Sequence, residues 1–185
     1  EPIALIGMGC RYPGQATTPN ALWQLATNCT DAITEITPEL WAGRATGSPS
    51  PARWAGLLNG IDDFDASFFG IGPTEAVDLD PQHRLLLEVT WEAFEDAGIV
   101  PERLSQHKVG VFVGIASRDY WDQLVSTAEE PRPYLSTGNA TSFAAARLAY
   151  TFGFRGVCTT VDTTCSSVMV ALHLACQSLR RGESD

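Results

Sequence analysis

Between Val157 and Leu172 the chain changes character twice within one short stretch. Val157-Cys158-Thr159-Thr160-Val161 is rich in β-branched residues and reads as a strand. Asp162 to Ser167 is a polar corner with Cys165 inside it. Val168-Met169-Val170-Ala171-Leu172 is apolar and begins a helix. A strand, a sharp turn and a helix in direct succession are the parts of an α/β fold.

The corner suits a nucleophile. Flanking Thr and Ser side chains can satisfy the free N–H groups of a first helical turn. Those N–H groups and the helix dipole favour an anion, the form in which a cysteine attacks. The N–H of Cys165 itself would point where a carbonyl oxygen gains charge during acyl transfer. The nucleophile elbow of hydrolases offers a turn of the same shape with a different motif. A buried structural cysteine is the other reading, because free Cys is among the most buried residue types. The local pattern leaves both open.

The chain has 185 residues, 44% of them hydrophobic and 18% charged, enough for one domain with a real core. Its net charge of −10 argues against a nucleic-acid partner, which calls for a basic face. An acidic carrier protein would need a local arginine cluster. There is no apolar run of about 18 residues and no signal peptide, so the expectation is a cytoplasmic protein with no membrane contact. The five cysteines, at 10, 29, 158, 165 and 176, form no CxxC pair and are expected as free thiols. Asn28-Cys29-Thr30 and Asn139-Ala140-Thr141 match the glycosylation pattern, which without a secretion signal is read as chance.

In chain order, Ile3 to Gly9 reads as a strand buried on both faces, and the glycines after it lack the spacing of a dinucleotide fingerprint. Pro19–Thr27 reads as a helix capped by Asn20. Residues 37–56 read as a loop anchored by Trp41 and Trp54, and Phe64, Phe68 and Phe69 as core. Asp80 caps a long helix with Pro81 at its first position and Gly98 at its end. Its two apolar stripes, Leu86-Val89-Ala93-Ala97 and Leu87-Trp91-Phe94, predict burial over much of its surface. His83, in the first turn, reads as a surface or capping group, and Arg84 as a partner for a carboxylate. Val109–Ile115 is a second buried strand; Ser117–Thr127 is helical and Glu129–Pro133 a loop. Thr137–Ser142 reads as a glycine turn that leads into a capped helix, Phe143–Phe152. The helix after Cys165 runs to Arg181, stopped by Gly182, with Val168, Leu172, Ala175 and Leu179 recurring at helical spacing.

No base for Cys165 is apparent. His173 lies eight residues along the helix, roughly 12 Å away. His173 and Cys176 are placed to share a metal, but no further ligand stands near them in sequence, so no metal site is expected.

Asp162-Thr163-Thr164-Cys165-Ser166-Ser167, followed by Ala171 to Arg180, resembles the active-site motif of β-ketoacyl synthase domains of modular polyketide synthases. Leu79-Asp80-Pro81-Gln82-His83-Arg84-Leu85-Leu86-Leu87-Glu88 is a second similar segment, Thr137–Ser142 a third, and Gly7–Gly14 resembles the opening of these domains. This chain has Thr164 where the family has Ala, Val168 where it has a third Ser, His83 where Gln is common, and Val157 where it has Pro.

The resemblance implies an α/β, thiolase-like fold of α-β-α-β-α layers, with residues 1–185 as its N-terminal, nucleophile-bearing half and the C-terminal half absent. It implies that Cys165 takes an acyl chain from the phosphopantetheine arm of an acyl carrier protein, its backbone N–H serving as an oxyanion donor. A malonyl-type extender on a carrier then loses CO₂ and attacks the acyl-cysteine. Two histidines and a lysine come from the second half, and their His-Gly-Thr-Gly-Thr and Asn-x-x-Gly-His type motifs do not occur here. Thr164, Asn139 and Thr141 are implied to line the acyl pocket, with no cofactor bound directly. The implied partners are the carrier protein, the C-terminal half and a second copy paired through Val157–Val161. Rival readings are another thiolase-fold condensing enzyme, such as the fatty-acid type, and a non-catalytic dimerisation fragment. A cysteine hydrolase lacks its histidine. Half of a five-layer fold should also leave an apolar face uncovered and self-associate.

Overall fold

The computed structural model describes residues 2–37 and 53–185. In chain order its elements are α1 (Pro19–Thr27), β1 (Thr34–Glu35), β2 (Trp54–Ala55), α2 (Pro73–Asp78), α3 (Pro81–Asp96), β3 (Val111–Gly114), α4 (Asp119–Thr127), α5 (Leu135–Asn139), α6 (Ser142–Phe152), β4 (Cys158–Val161) and α7 (Ser167–Arg181). Single 3₁₀ turns occupy Pro101–Leu104 and Thr164–Ser166. β1 and β2 form a small antiparallel pair.

The site is carried by β3 and β4. They pair in parallel, with Val111 opposite Cys158 and Gly114 opposite Val161. Parallel neighbours need a long crossover, which α4, α5 and α6 supply. Alternation then sorts the side chains of β3. Val111, Val113 and Ile115 enter one core with Leu87 of α3 and with Ala144, Ala145, Leu148 and Phe152 of α6. Gly110 and Gly114 face the other way: an added Cβ would meet Ser184 from the first and the start of α7 from the second. The result is a sheet with α6 and α3 on one side and α7 on the other.

The strongest sequence signals hold. Asp80 accepts from the Gln82 N–H at 2.8 Å and caps α3, with Pro81 in the first turn. Gly182 ends α7 as expected, in the left-handed region at φ 66°, and Gly153, not anticipated as a stop, ends α6 the same way at φ 72°. Phe64 and Phe69 pack on the core, whereas Phe68 stays half outside, edge-on to Trp91.

Several expectations are corrected. Ile3–Gly9 is no strand, and Leu5 and Ile6 are exposed. Its glycines lie flush on the carbonyls of Ala93 and Val89 in α3, and no described strand runs beside it to complete a ladder. The cap of α1 is Thr18, which accepts from the Ala21 N–H, not Asn20. Trp54 sits in β2, mostly exposed; Trp41 lies outside the described residues. Residues 135–139 form a helical turn, not a glycine turn, and α6 has no side-chain cap. Arg84 makes no ion pair among the described residues: its Nε donates to the Leu79 carbonyl at 2.9 Å and its guanidinium lies over the Tyr120 ring. The α7 stripe, which its spacing alone assigned to no side, has Val168, Leu172 and Leu179 exposed, as is Met169, and Ala175 half-buried, while Ser167, Ala171 and Ser178 face the sheet.

His83 is the largest departure. It is 2% exposed, because the Asp80 N–H donates to the Gly138 carbonyl and so draws the first turn of α3 against α5. Burial, aided by the nearby Arg147 charge, lowers its pKa from the ordinary 6.5 to about 4. The folded state therefore resists a proton that the unfolded chain accepts. Stability is full above pH 6.5 and falls as pH drops from 6.5 toward 4, by on the order of 3 kcal/mol in all. Urea unfolding followed between pH 7 and 4 should show this loss, and His83→Gln should flatten it.

The outward stripe of α7 and the exposed Leu5, Ile6 and Met8 leave much apolar surface open to water. The chain by itself should associate at micromolar concentration, with a sedimentation coefficient that rises with concentration. A concentration-independent monomer would count against an uncovered face.

Candidate active site

β4 delivers the chain to the corner and α7 carries it away. Cys165 sits in the 3₁₀ turn between them, exposed and free. The turn is tied by its own polar side chains. The Thr164 N–H donates to Asp162 Oδ1 at 3.0 Å. The buried Ser167 hydroxyl accepts from the Thr163 N–H at 2.9 Å and donates to the Thr164 carbonyl at 2.7 Å. The Ser166 hydroxyl donates to the Thr163 carbonyl at 2.8 Å.

These bonds correct one expectation. The hydroxyls brace the turn itself and do not cap α7, whose N-cap residue Ser166 makes no side-chain cap bond. The Cys165 N–H also finds no protein acceptor among the described residues. An exposed sulfur beside an unengaged N–H at the start of a 15-residue helix is an arrangement that can hold a carbonyl oxygen while its carbon is attacked.

Two features of the turn were not anticipated. Thr164 has φ 56°, a left-handed conformation that a β-branched residue adopts only under constraint. The bond to Asp162 and the bond from Ser167 supply that constraint. Gly114, at the end of β3, lies directly under the turn: a Cβ there would be 2.7 Å from both Ser167 C and Val168 N. The only sequence signal for it is a glycine closing a strand, which in this case marks a close backbone approach.

The other candidate residues sit elsewhere. Asn139 ends α5, 1% exposed, and its amide donates to the carbonyls of Asp78 and Leu135 at 2.6 and 2.9 Å. That is a support beneath the surface, not an open contact. Thr141 stands half-buried before α6, which reaches β4 through the Ala145 N–H donating to Thr160 Oγ1. Neither residue hydrogen-bonds to the Cys165 turn, which brings together only Thr164 and the cysteine from the candidate set. None of the three histidines bonds to Cys165: His83 is buried in α3, His107 is exposed, and His173 lies 2.6 Å from Gln177 Nε2. No group of three or more His, Cys, Asp or Glu among the described residues is placed to hold a metal. No described helix is long and apolar enough to cross a membrane.

Residues 1–185 match the beta-ketoacyl synthase N-terminal domain throughout. The chain belongs to that family. It is 47% identical to a phenolphthiocerol/phthiocerol polyketide synthase of Mycobacterium tuberculosis, over its whole length and 10% of that protein. It is 50% identical to the spectinabilin polyketide synthase system protein NorA of Streptomyces orinoci, covering 99% of this chain and 10% of NorA. Among solved structures, the module 6 ketosynthase of the bacillaene synthase from Bacillus subtilis 168 aligns over 98% of this chain and 30% of its own, with a TM-score of 0.82 and 36% identity. The oxazolomycin ketosynthase domain OzmH KS7 of Streptomyces albus JA3453 aligns over 99% and 33%, with a TM-score of 0.87 and 31% identity. The fold is therefore thiolase-like, and the chain covers its N-terminal part. It spans about a tenth of those two curated relatives and a third of the solved chains.

Gly114→Ala should push the first turn of α7 off β3. Overpacking of this kind costs about 1–3 kcal/mol. Thermal unfolding should show that loss, and iodoacetamide labelling of Cys165 should change rate because its turn moves. Unchanged stability and labelling would mean that the close approach is not needed.

Proposed function

We propose that this chain is the nucleophile-bearing part of a β-ketoacyl synthase that extends polyketide chains. Cys165 attacks the carbonyl carbon of an acyl thioester held on the phosphopantetheine arm of a carrier protein. A C–S bond forms, the oxygen takes the charge against the Cys165 N–H, and the pantetheine thiolate leaves. A carrier-bound malonyl-type extender then loses CO₂, its carbanion attacks the acyl-cysteine, and the Cys165 thiolate departs. The observation that supports this reading is the exposed cysteine beside its own unengaged N–H, braced by Asp162 and Ser167.

The histidines that support decarboxylation, and the lysine beside them, belong to a C-terminal half in this reading. That half also covers the outward stripe of α7. Thr164 and Thr141 are the side chains left to border the acyl group, and Asn139 supports the wall from beneath. The outer edge of β4, unpaired among the described residues, suits pairing with a second copy. A fatty-acid-type condensing enzyme is the alternative substrate class. A non-catalytic role is favoured by one observation, the lack of any histidine on Cys165.

Mass spectrometry after incubation with an acyl thioester donor tests this, with Cys165→Ala as control. An adduct on Cys165 is expected, in the chain alone or once a β-ketoacyl synthase C-terminal half is supplied. No adduct in either case would favour the non-catalytic role.

A further inference from the structure

Away from Cys165, three buried side chains stop short of satisfying their hydrogen-bonding groups. Four of their atoms have no protein partner: both ring nitrogens of His83, Oδ1 of Asn139 and Nε of Arg147. Buried polar atoms nearly always find a partner, and each exception calls for an explanation.

The three residues share one neighbourhood, where α3 meets α5 and α6. The Asp80 N–H donates to the Gly138 carbonyl, which ties the cap of α3 to the residue before Asn139. Arg147 of α6 donates from Nη2 to the Thr137 carbonyl at 3.1 Å, two residues before Asn139. The charge of Arg147 acts on His83.

Their orientations are set from outside. Asn139 uses Nδ2 on the carbonyls of Asp78 and Leu135, so its amide cannot be flipped and Oδ1 needs a donor. Arg147 is held by Nη1 on Glu75 at 2.6 Å and by Nη2 on Thr137, and Nε is its one buried nitrogen with no partner. Neither side chain can turn toward His83 without breaking two bonds. The unmet set is nevertheless balanced. A neutral imidazole brings one donor and one acceptor, Arg147 Nε one donor and Asn139 Oδ1 one acceptor. Two donors and two acceptors, fixed in place and unable to meet directly, match what water both gives and takes.

We infer that His83, Asn139 and Arg147 enclose a buried water site that joins α3, α5 and α6 through hydrogen bonds. More than one water is required, because the two ring nitrogens point in different directions. The site has a mechanical consequence for the nucleophile strand. α6 donates from the Ala145 N–H to Thr160 of β4, so water that holds α6 also holds the strand leading to Cys165.

A crystal structure of the full chain, at a resolution that shows ordered water, tests this directly. The expected result is density for water within hydrogen-bond distance of His83 and of at least one of Asn139 Oδ1 and Arg147 Nε. Density for an ion, direct bonds among the three side chains, or a dry interface would overturn it. Two variants give a second test in solution. Gln can both donate and accept, so His83→Gln should keep the water, whereas His83→Leu strands the other partners. Unfolding at pH 8, where the imidazole is neutral, should show His83→Leu losing roughly tenfold more in the folded-to-unfolded ratio than His83→Gln. Equal losses would overturn the proposal.

Discussion

The contact between Gly114 and the first turn of α7 is the constraint on which the rest of the site depends. A backbone-to-backbone approach this close is open only to glycine, since a Cβ would lie 2.7 Å from Ser167 and Val168. It seats the long helix on the end of β3, while β4, in parallel register beside it, delivers Cys165 to the helix start. Ser167 then completes the corner from inside, with its hydroxyl bonded to both Thr163 and Thr164. Thr164 keeps its left-handed φ of 56° there through the bonds to Asp162 and from Ser167. The sulfur is left exposed, while Asp162, Ser166 and Ser167 bond to the backbone of the turn itself.

The two sides of the sheet are finished differently. On the α6 side, Val111, Val113, Ile115, Leu148 and Phe152 close an apolar core, edged by a buried polar junction of Asp78, Asp80, His83, Arg84 and Asn139. Asp78 is satisfied there by Arg132 at 2.8 Å and by the Tyr134 N–H. On the α7 side, Val168, Met169 and Leu172 remain in contact with water. One face is thus a completed interior and the other an apolar surface of the kind that a further layer covers. The family's five-layer architecture gives the proposed C-terminal half that place.

Much of the fold was legible because it rests on local chemistry. Asp80-Pro81 states a helix start, Gly98 and Gly182 state helix ends, and the run from Val157 to Leu172 states strand, corner and helix within one window. The place of Cys165 at that corner was readable for the same reason. Two of the errors have one origin. Ile3–Gly9 was read as buried and His83 as exposed, and the side each takes depends on neighbours distant in sequence. An apolar run becomes a strand only where another strand lies beside it, and here α3 lies beside it instead. A histidine in a first turn is exposed unless another helix is tied across that turn, as α5 is through Gly138.

The sequence by itself determined the long helices, the cap of α3 and the strand–corner–helix run that holds Cys165, because these follow from interactions among residues a few positions apart. Only the tertiary structure decided which face of each element is covered, that Ser167 and Asp162 brace the turn instead of capping α7, and that Gly114 must be small. Those outcomes depend on segments far apart in the chain meeting in space, and no local pattern encodes which segments will meet.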